Sequence, residues 1–262
     1  MLSGTWNNFQ GLELFTSEGS SSCPPADALL AKLDRAGVIV LSEHVDYWNY
    51  IGWSDPFSSK ALTERQQRYA EKLRIDSVYT PQMVVDGTAE FVGSDAGKAK
   101  AAVLRGGEMA KLRVNISGEA KWMVEVDVGD RGDEVYLAVA SNEELSKVLR
   151  GENDGRSLRH VAVVKSLVKI GDLKPGEALH KEIAAATGTQ RIVAFVQERG
   201  QGRVLGSAMR SNQPSKTQST LCSRQPPGTL AEQGPTDSCR LYPRWSPLRF
   251  FFTLTKEADS RR

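Results

Sequence analysis

Cysteine is scarce in this chain: 262 residues hold only three, Cys23, Cys222 and Cys239. An odd number so widely spaced excludes a disulfide framework, although Cys222 and Cys239 could pair in an oxidising compartment. Long apolar runs are missing as well. None approaches the roughly 20 residues that a helix needs to span a bilayer, so no membrane span is expected. Neither sign of charge dominates. A formal net charge of +2, with no dense basic patch, gives nucleic-acid binding no compositional support. There is no Walker loop, nucleotide fingerprint or serine-hydrolase elbow, so no cofactor is expected. The chain has three histidines, and no His-x-x-His pair or carboxylate cluster completes a metal site, so no metal is expected either.

What is present supports a globular protein. Apolar residues make up 40% and charged residues 25%, enough for a sizeable core. Residues 11–106 alternate between strand and helix patterns. A short apolar strand at 11–16 precedes a helix at 24–36, in which Pro24 or Pro25 fits the first turn and Gly37 is the stop. A continuous apolar run at 38–42 reads as a strand covered on both faces. After an aromatic-rich connection, helical spacing returns at 61–73. Strands at 83–85 and 89–92 flank the hairpin signal Asp86-Gly87. Ser94 or Asp95 can cap a last helix, which Gly106-Gly107 ends.

Beyond Lys111 the pattern becomes strict alternation with turn signals between short runs. Strands are expected at 112–117, 121–128, 134–141, 160–170, 179–183, 191–197 and 204–208. Such spacing suggests a β-sandwich. Residues 211–238 are rich in Ser, Thr, Gln, Pro and Gly without periodicity, a composition typical of disorder. The expected organisation is therefore an α/β domain at 11–107, a β-rich, sandwich-like domain at 108–209 and a low-order tail at 210–262. The tail, including the isolated apolar run 248–254, has the character of a non-native extension such as a shifted reading frame.

Two motifs carry the chemistry. The first is Gly19-Ser20-Ser21-Ser22-Cys23-Pro24-Pro25-Ala26-Asp27, placed between the first strand and the first helix. Thioredoxin-like proteins keep a Cys-x-x-Cys pair in such a turn. Here Cys23 stands in the second position and Ser20 in the first. The second motif is Tyr79-Thr80-Pro81-Gln82 before an apolar strand, where such folds hold a cis-proline. A proline there removes a backbone donor and leaves Thr80 to pair with an extended ligand. Trp48 and Trp53, in the aromatic connection, are further candidates for contact with a substrate.

Together with Leu14-Phe15-Thr16-Ser17-Glu18-Gly19, His44-Val45-Asp46-Tyr47-Trp48, Gly52-Trp53-Ser54-Asp55-Pro56-Phe57, Arg65-Gln66 and Tyr79 to Gly87, these motifs resemble a bacterial thioredoxin-like family known as domain of unknown function 1223. Arg150-Gly151-Glu152-Asn153 and Leu158-Arg159-His160 resemble its second half. The resemblance spans roughly residues 11–209 and implies a thioredoxin-like domain followed by a β-rich one. It also implies export to the periplasm or beyond. Residues 1–10, however, lack a charged n-region and an apolar h-region and do not read as a signal peptide.

The departure that matters is Ser20, where members commonly carry cysteine. In a dithiol enzyme the first cysteine attacks as thiolate and the second resolves the mixed disulfide, and serine can do neither. At most, monothiol exchange with a protein or small-molecule thiol would remain, through Cys23 at a helix start that favours an anion. His44 and Asp46 are the candidate helpers in proton transfer. A second reading is a non-catalytic module that binds a peptide or protein along the cis-proline edge and the aromatic loop. A third has Cys23, His44 and Asp46 holding a metal. Arg156, Arg159 and His160 read as a solvated turn, or as a site for an anionic ligand.

Overall fold

A computed structural model describes residues 6–7, 11–106, 112–118, 121–185 and 190–211. Twelve strands and three α-helices are assigned among them. In chain order they are β1 (Trp6–Asn7), β2 (Gly11–Thr16), α1 (Pro24–Arg35), β3 (Ile39–His44), α2 (Lys60–Leu73), β4 (Gln82–Val85), β5 (Ala89–Val92) and α3 (Ala96–Gly106). The second half adds β6 (Val114–Ser117), β7 (Lys121–Val126), β8 (Asp133–Lys147), β9 (Ser157–Leu173), β10 (Leu179–Ala184), β11 (Gln190–Gln197) and β12 (Val204–Ser211). The result is a mixed α/β protein with one large sheet and few helices. Cys222, Cys239 and the apolar run at 248–254 lie outside the described residues.

The large sheet has nine strands in the order β1-β12-β11-β8-β9-β3-β2-β4-β5, and β10-β7-β6 form a second sheet. β2 and β3 are parallel, with α1 as their crossover, and β4 runs antiparallel to β2. The β4–β5 turn needs Asp86 and Gly87 at positive φ, 48° and 65°. Only glycine fits at 87 for a second reason: a Cβ there would lie 2.2 Å from the Gly202 carbonyl oxygen.

Period-2 alternation divides β3 between two cores. Val40, with Val38 just before the strand, joins Leu12, Leu14, Ala26 and Leu30 of the α1 side. Ile39 and Leu41 face the opposite way, toward Leu62 of α2. A third core lies in the second half. There Val114, Ile116, Trp122, Val124 and Val126 of the small sheet meet Val135, Leu137, Ile192, Ala194 and Val196 of the large one.

The large sheet is continuous between the two halves, because β9 pairs in parallel with β3 at Ser42↔Val163. Val161 and Ala162 of β9 accordingly join the core under α1. The β8–β9 hairpin is longer than its sequence pattern suggests. Its far ends carry polar outer faces, such as Arg159 held by both oxygens of Glu143 at 2.8 and 2.7 Å. Apolar alternation fades there, although the ladder continues to Lys147↔Ser157.

Candidate functional site

The Ser20-x-x-Cys23 turn follows directly from β2. Gly19 N–H donates to Ser17 Oγ at 3.1 Å, and Cys23 N–H donates to the Ser20 carbonyl at 3.2 Å. Cys23 is the N-cap of α1, with Pro24 and Pro25 in the first turn, where their missing N–H groups cost nothing. The Thr80–Pro81 peptide bond is cis. Ser22 Oγ donates to the Thr80 carbonyl at 3.3 Å, which brings the two motifs together. Trp48 Nε1 donates to Thr80 Oγ1 at 2.8 Å. Its ring stacks with Tyr50, which is 81% exposed. The aromatic loop is thereby fixed to the proline edge and presents an apolar surface beside it.

Cys23 is fully buried. A helix start favours a thiolate, but here two influences oppose it. Burial pushes the Cys23 thiol up, and the charge of Asp27, one helical turn on, adds to the effect. The Thr16 and Thr80 side chains and the Ser17 backbone offset this only in part. Ser20 is buried as well, and its Oγ lies 2.9 Å from Ser22 Oγ. Tyr47 is close enough to Cys23 to feel its charge. Its phenol is raised to about 12, mainly by burial.

His44 and Asp46 sit elsewhere than the sequence suggests. His44 Nδ1 is bound to Asp55 Oδ2 at 2.8 Å. Burial would raise the Asp55 carboxyl, yet His44 and the backbone N–H groups of Glu18 and Phe57 hold it below its ordinary value. His44 Nε2 is buried without a hydrogen-bond partner. Asp46 accepts from Thr63 Oγ1 at 2.5 Å and so ties its loop to α2. Neither residue has a hydrogen bond to Cys23 among the described residues. No three His, Cys, Asp or Glu side chains among those residues are grouped to hold a metal. Trp53 is half-buried, and its Nε1 donates to Glu18 Oε2 at 2.9 Å.

The sequence reading missed the contribution of the second half. The loop between β8 and β9 reaches the turn from more than 130 residues away. Glu152 Oε2 accepts from both N–H and Oγ of Ser21 at 2.8 Å. The buried Asn153 Nδ2 donates to the carbonyls of Glu18 and Ser20 at 2.8 and 2.9 Å. Gly151, at φ +81°, packs so closely on Ile51 that a Cβ there would lie 2.9 Å from the Ile51 side chain. His160 is no part of a solvated turn. It lies in β9, buried, with Nε2 3.2 Å from Glu18 Oε1 and Nδ1 3.6 Å from Asp27 Oδ2. Of its two neighbours in that reading, Arg159 pairs with Glu143, and Arg156 Nη1 donates to Asn153 Oδ1 at 2.7 Å. The available signal was the polar segment 152–154 between Gly151 and Gly155, both at positive φ.

The features above define a class: a mixed α/β protein in which a Ser-x-x-Cys turn, a cis-proline and a hairpin from the second half converge at one end of a large sheet. The chain belongs to the family described as Protein of unknown function (DUF1223), whose model matches residues 12–197. It is similar to the crystal structure of an Agrobacterium tumefaciens protein. That match has 27% identity and a TM-score of 0.67, and it covers 79% of this chain and 96% of the other. It is also similar in fold to HBP35 of Porphyromonas gingivalis, at 16% identity and TM-score 0.54, covering 86% of this chain and 81% of that one. No curated protein matches the chain. No helix among the described residues is long and apolar enough to cross a membrane.

Proposed function

We propose that this protein is a thioredoxin-like domain joined to a sandwich-like β domain, and that it docks an extended peptide or protein segment rather than exchanging disulfides. The observation that carries this reading is the enclosure of Cys23. The only sulfur of the turn is fully buried and pushed toward the neutral thiol, and Ser20 offers no second one. The same enclosure weighs against monothiol exchange, which needs an accessible thiolate. The order of elements, with the cis bond at Pro81 facing the turn, supports the thioredoxin-like assignment. The stacked Trp48 and Tyr50 beside Thr80 supply rigid aromatic area of the kind that dominates binding energetics.

Selection of extended decapeptides from a phage-displayed library tests the reading. An enriched peptide is expected to bind the wild type and Cys23→Ala alike. Trp48→Ala should weaken it by about 2 kcal/mol, roughly thirtyfold in Kd. The wild type should show no turnover of insulin disulfides in the presence of dithiothreitol. Loss of peptide binding in Cys23→Ala, or insulin turnover by the wild type, would return the site to redox chemistry.

A further inference from the structure

We propose that His160 is a positioning and charge-balancing residue for Cys23: from the second half it pairs with Asp27, and so offsets the negative charge that this carboxylate directs at the sulfur. The inference goes beyond the docking reading and concerns the buried sulfur beside that edge. It concerns who controls the ionisation of that site.

The geometry is a short relay. Cys23 and Asp27 are i and i+4 at the start of α1, with Asp27 N–H donating to the Cys23 carbonyl at 3.1 Å. That spacing puts both side chains on one helix face. Asp27 is buried: Thr16 Oγ1 donates to Oδ1 at 3.0 Å, and His160 Nδ1 stands 3.6 Å from Oδ2, an ion-pair distance that leaves Nδ1 without a hydrogen-bond partner. The other ring nitrogen of His160 faces Glu18, whose remaining partners are Trp53 and Ser146. His160 therefore sits between two buried carboxyl groups.

Among the described residues the relay has charged or titratable neighbours on several elements, with Asp55 one step out, bound to His44 Nδ1 and accepting the Glu18 N–H. Around His160 they are Asp27 from α1, Glu18 from the turn, His44 from β3 with ring centroids 4.8 Å apart, and Glu144 from β8. Around Cys23 they are Asp27 and Tyr47. Burial opposes an imidazolium, but Asp27 and Glu18 raise His160 to about 9. His160 is therefore cationic at neutral pH. It is the one cation placed directly against Asp27 among the described residues. Without it, the Asp27 charge would act on Cys23 unopposed in a site of low dielectric. Because its folded value lies above the ordinary 6.5, the stabilisation it contributes is complete below pH 6.5. It is lost as pH rises through about 9.

The test is the pH profile of Cys23 alkylation by iodoacetamide, followed by peptide-resolved mass spectrometry so that Cys222 and Cys239 do not contribute. The midpoint of the profile is read, rather than the absolute rate, because midpoint and accessibility separate. Asp27→Asn is expected to lower the midpoint by about one unit. His160→Gln should raise it by about one unit, corresponding to about tenfold slower reaction at a fixed pH below it. Opposite signs are the signature of charge. Unchanged midpoints, or shifts in the same direction from general loosening of the turn, overturn the proposal. Should His160→Gln fail to fold, the His160 ring titration followed by NMR in Asp27→Asn decides: a midpoint lowered from that of the wild type supports the pairing, and an unmoved one sinks the idea. Peptide docking at the Trp48 edge is read independently, so either claim can fail without the other.

Discussion

Arg65→Met is expected to destabilise the fold by about 3–5 kcal/mol, the range for removing one partner of a buried ion pair. In a protein of this size that lowers Tm by roughly 10 °C. Arg65 belongs to α2 and turns an almost wholly buried side chain toward the sheet. Its Nε donates to Glu13 Oε2 at 2.6 Å and lies 3.6 Å from Glu43 Oε1. Its guanidinium carbon lies 5.0, 5.8 and 5.5 Å from the ring centres of Tyr69, Tyr136 and Phe195, within cation–π range. Two carboxyl groups on neighbouring strands thus share one cation. Glu13 also accepts from Tyr69 Oη at 2.5 Å. Both Glu43 oxygens lack a hydrogen-bond partner.

The two glutamates should therefore respond oppositely. Burial would raise Glu13, but Arg65 holds it below its ordinary value. Burial and the charge of Glu13 push Glu43 well above its ordinary value, with Arg65 only partly opposing. Glu13→Gln breaks the ion pair and should cost nearly as much as Arg65→Met. Glu43→Gln should be close to neutral at pH 5 and stabilising at pH 8. The sign follows from linkage. The contribution of a carboxyl raised in the fold is complete below its unfolded value of 4.5 and is lost as pH rises through the folded one. Glu13 behaves in reverse, losing its contribution as pH falls below 4.5. Urea melts of the three variants at pH 5 and pH 8 read the Glu43 direction, and melts at pH 3.5 read that of Glu13. Equal losses for Glu13→Gln and Glu43→Gln at pH 8 would contradict the assignment.

Asn153→Ala is expected to cost about 2 kcal/mol, because it removes the side-chain donor from the Glu18 carbonyl and one of two donors from the Ser20 carbonyl, which keeps the Cys23 N–H. It should also speed amide exchange at Ser20 and Cys23, whose turn Asn153 braces at the Glu18 and Ser20 carbonyls. Asn153→Asp has nearly the same shape but sets a carboxylate against those two carbonyls. It should be at least as damaging. Wild-type exchange and stability in Asn153→Asp would show that the loop merely rests on the turn.

Much of the fold is legible in the sequence because local chemistry specifies it. Pro24 and Pro25 start α1, and Gly37 follows it. Asp86-Gly87 makes the β4–β5 hairpin. Alternation marks each strand of the second half. The long β8–β9 arm is less legible because its outer face is charged, so periodicity stops at Ser141 while pairing continues to Lys147. The site was half legible. Ser20, Cys23, Thr80 and Pro81 fall together as their motifs suggest. His44 and Asp46 lie close to Cys23 in motif order but are claimed by Asp55 and Thr63. A hydrogen bond of a loop residue to a distant helix leaves no mark on spacing.

Local residues specify the elements, the turn that carries one sulfur where a dithiol site needs two, and the proline that faces it. Each depends on a residue and its immediate neighbours. The surroundings of that sulfur come instead from contacts between distant parts of the chain. His160 meets Glu18 across 142 positions, and Glu152 meets Ser21 across 131. Those contacts close the second half over the turn, while burial and the charge of Asp27 push the Cys23 thiol up. Desolvation and Coulomb interaction depend on distance through space and on the exclusion of water, and neither is encoded by position along the chain.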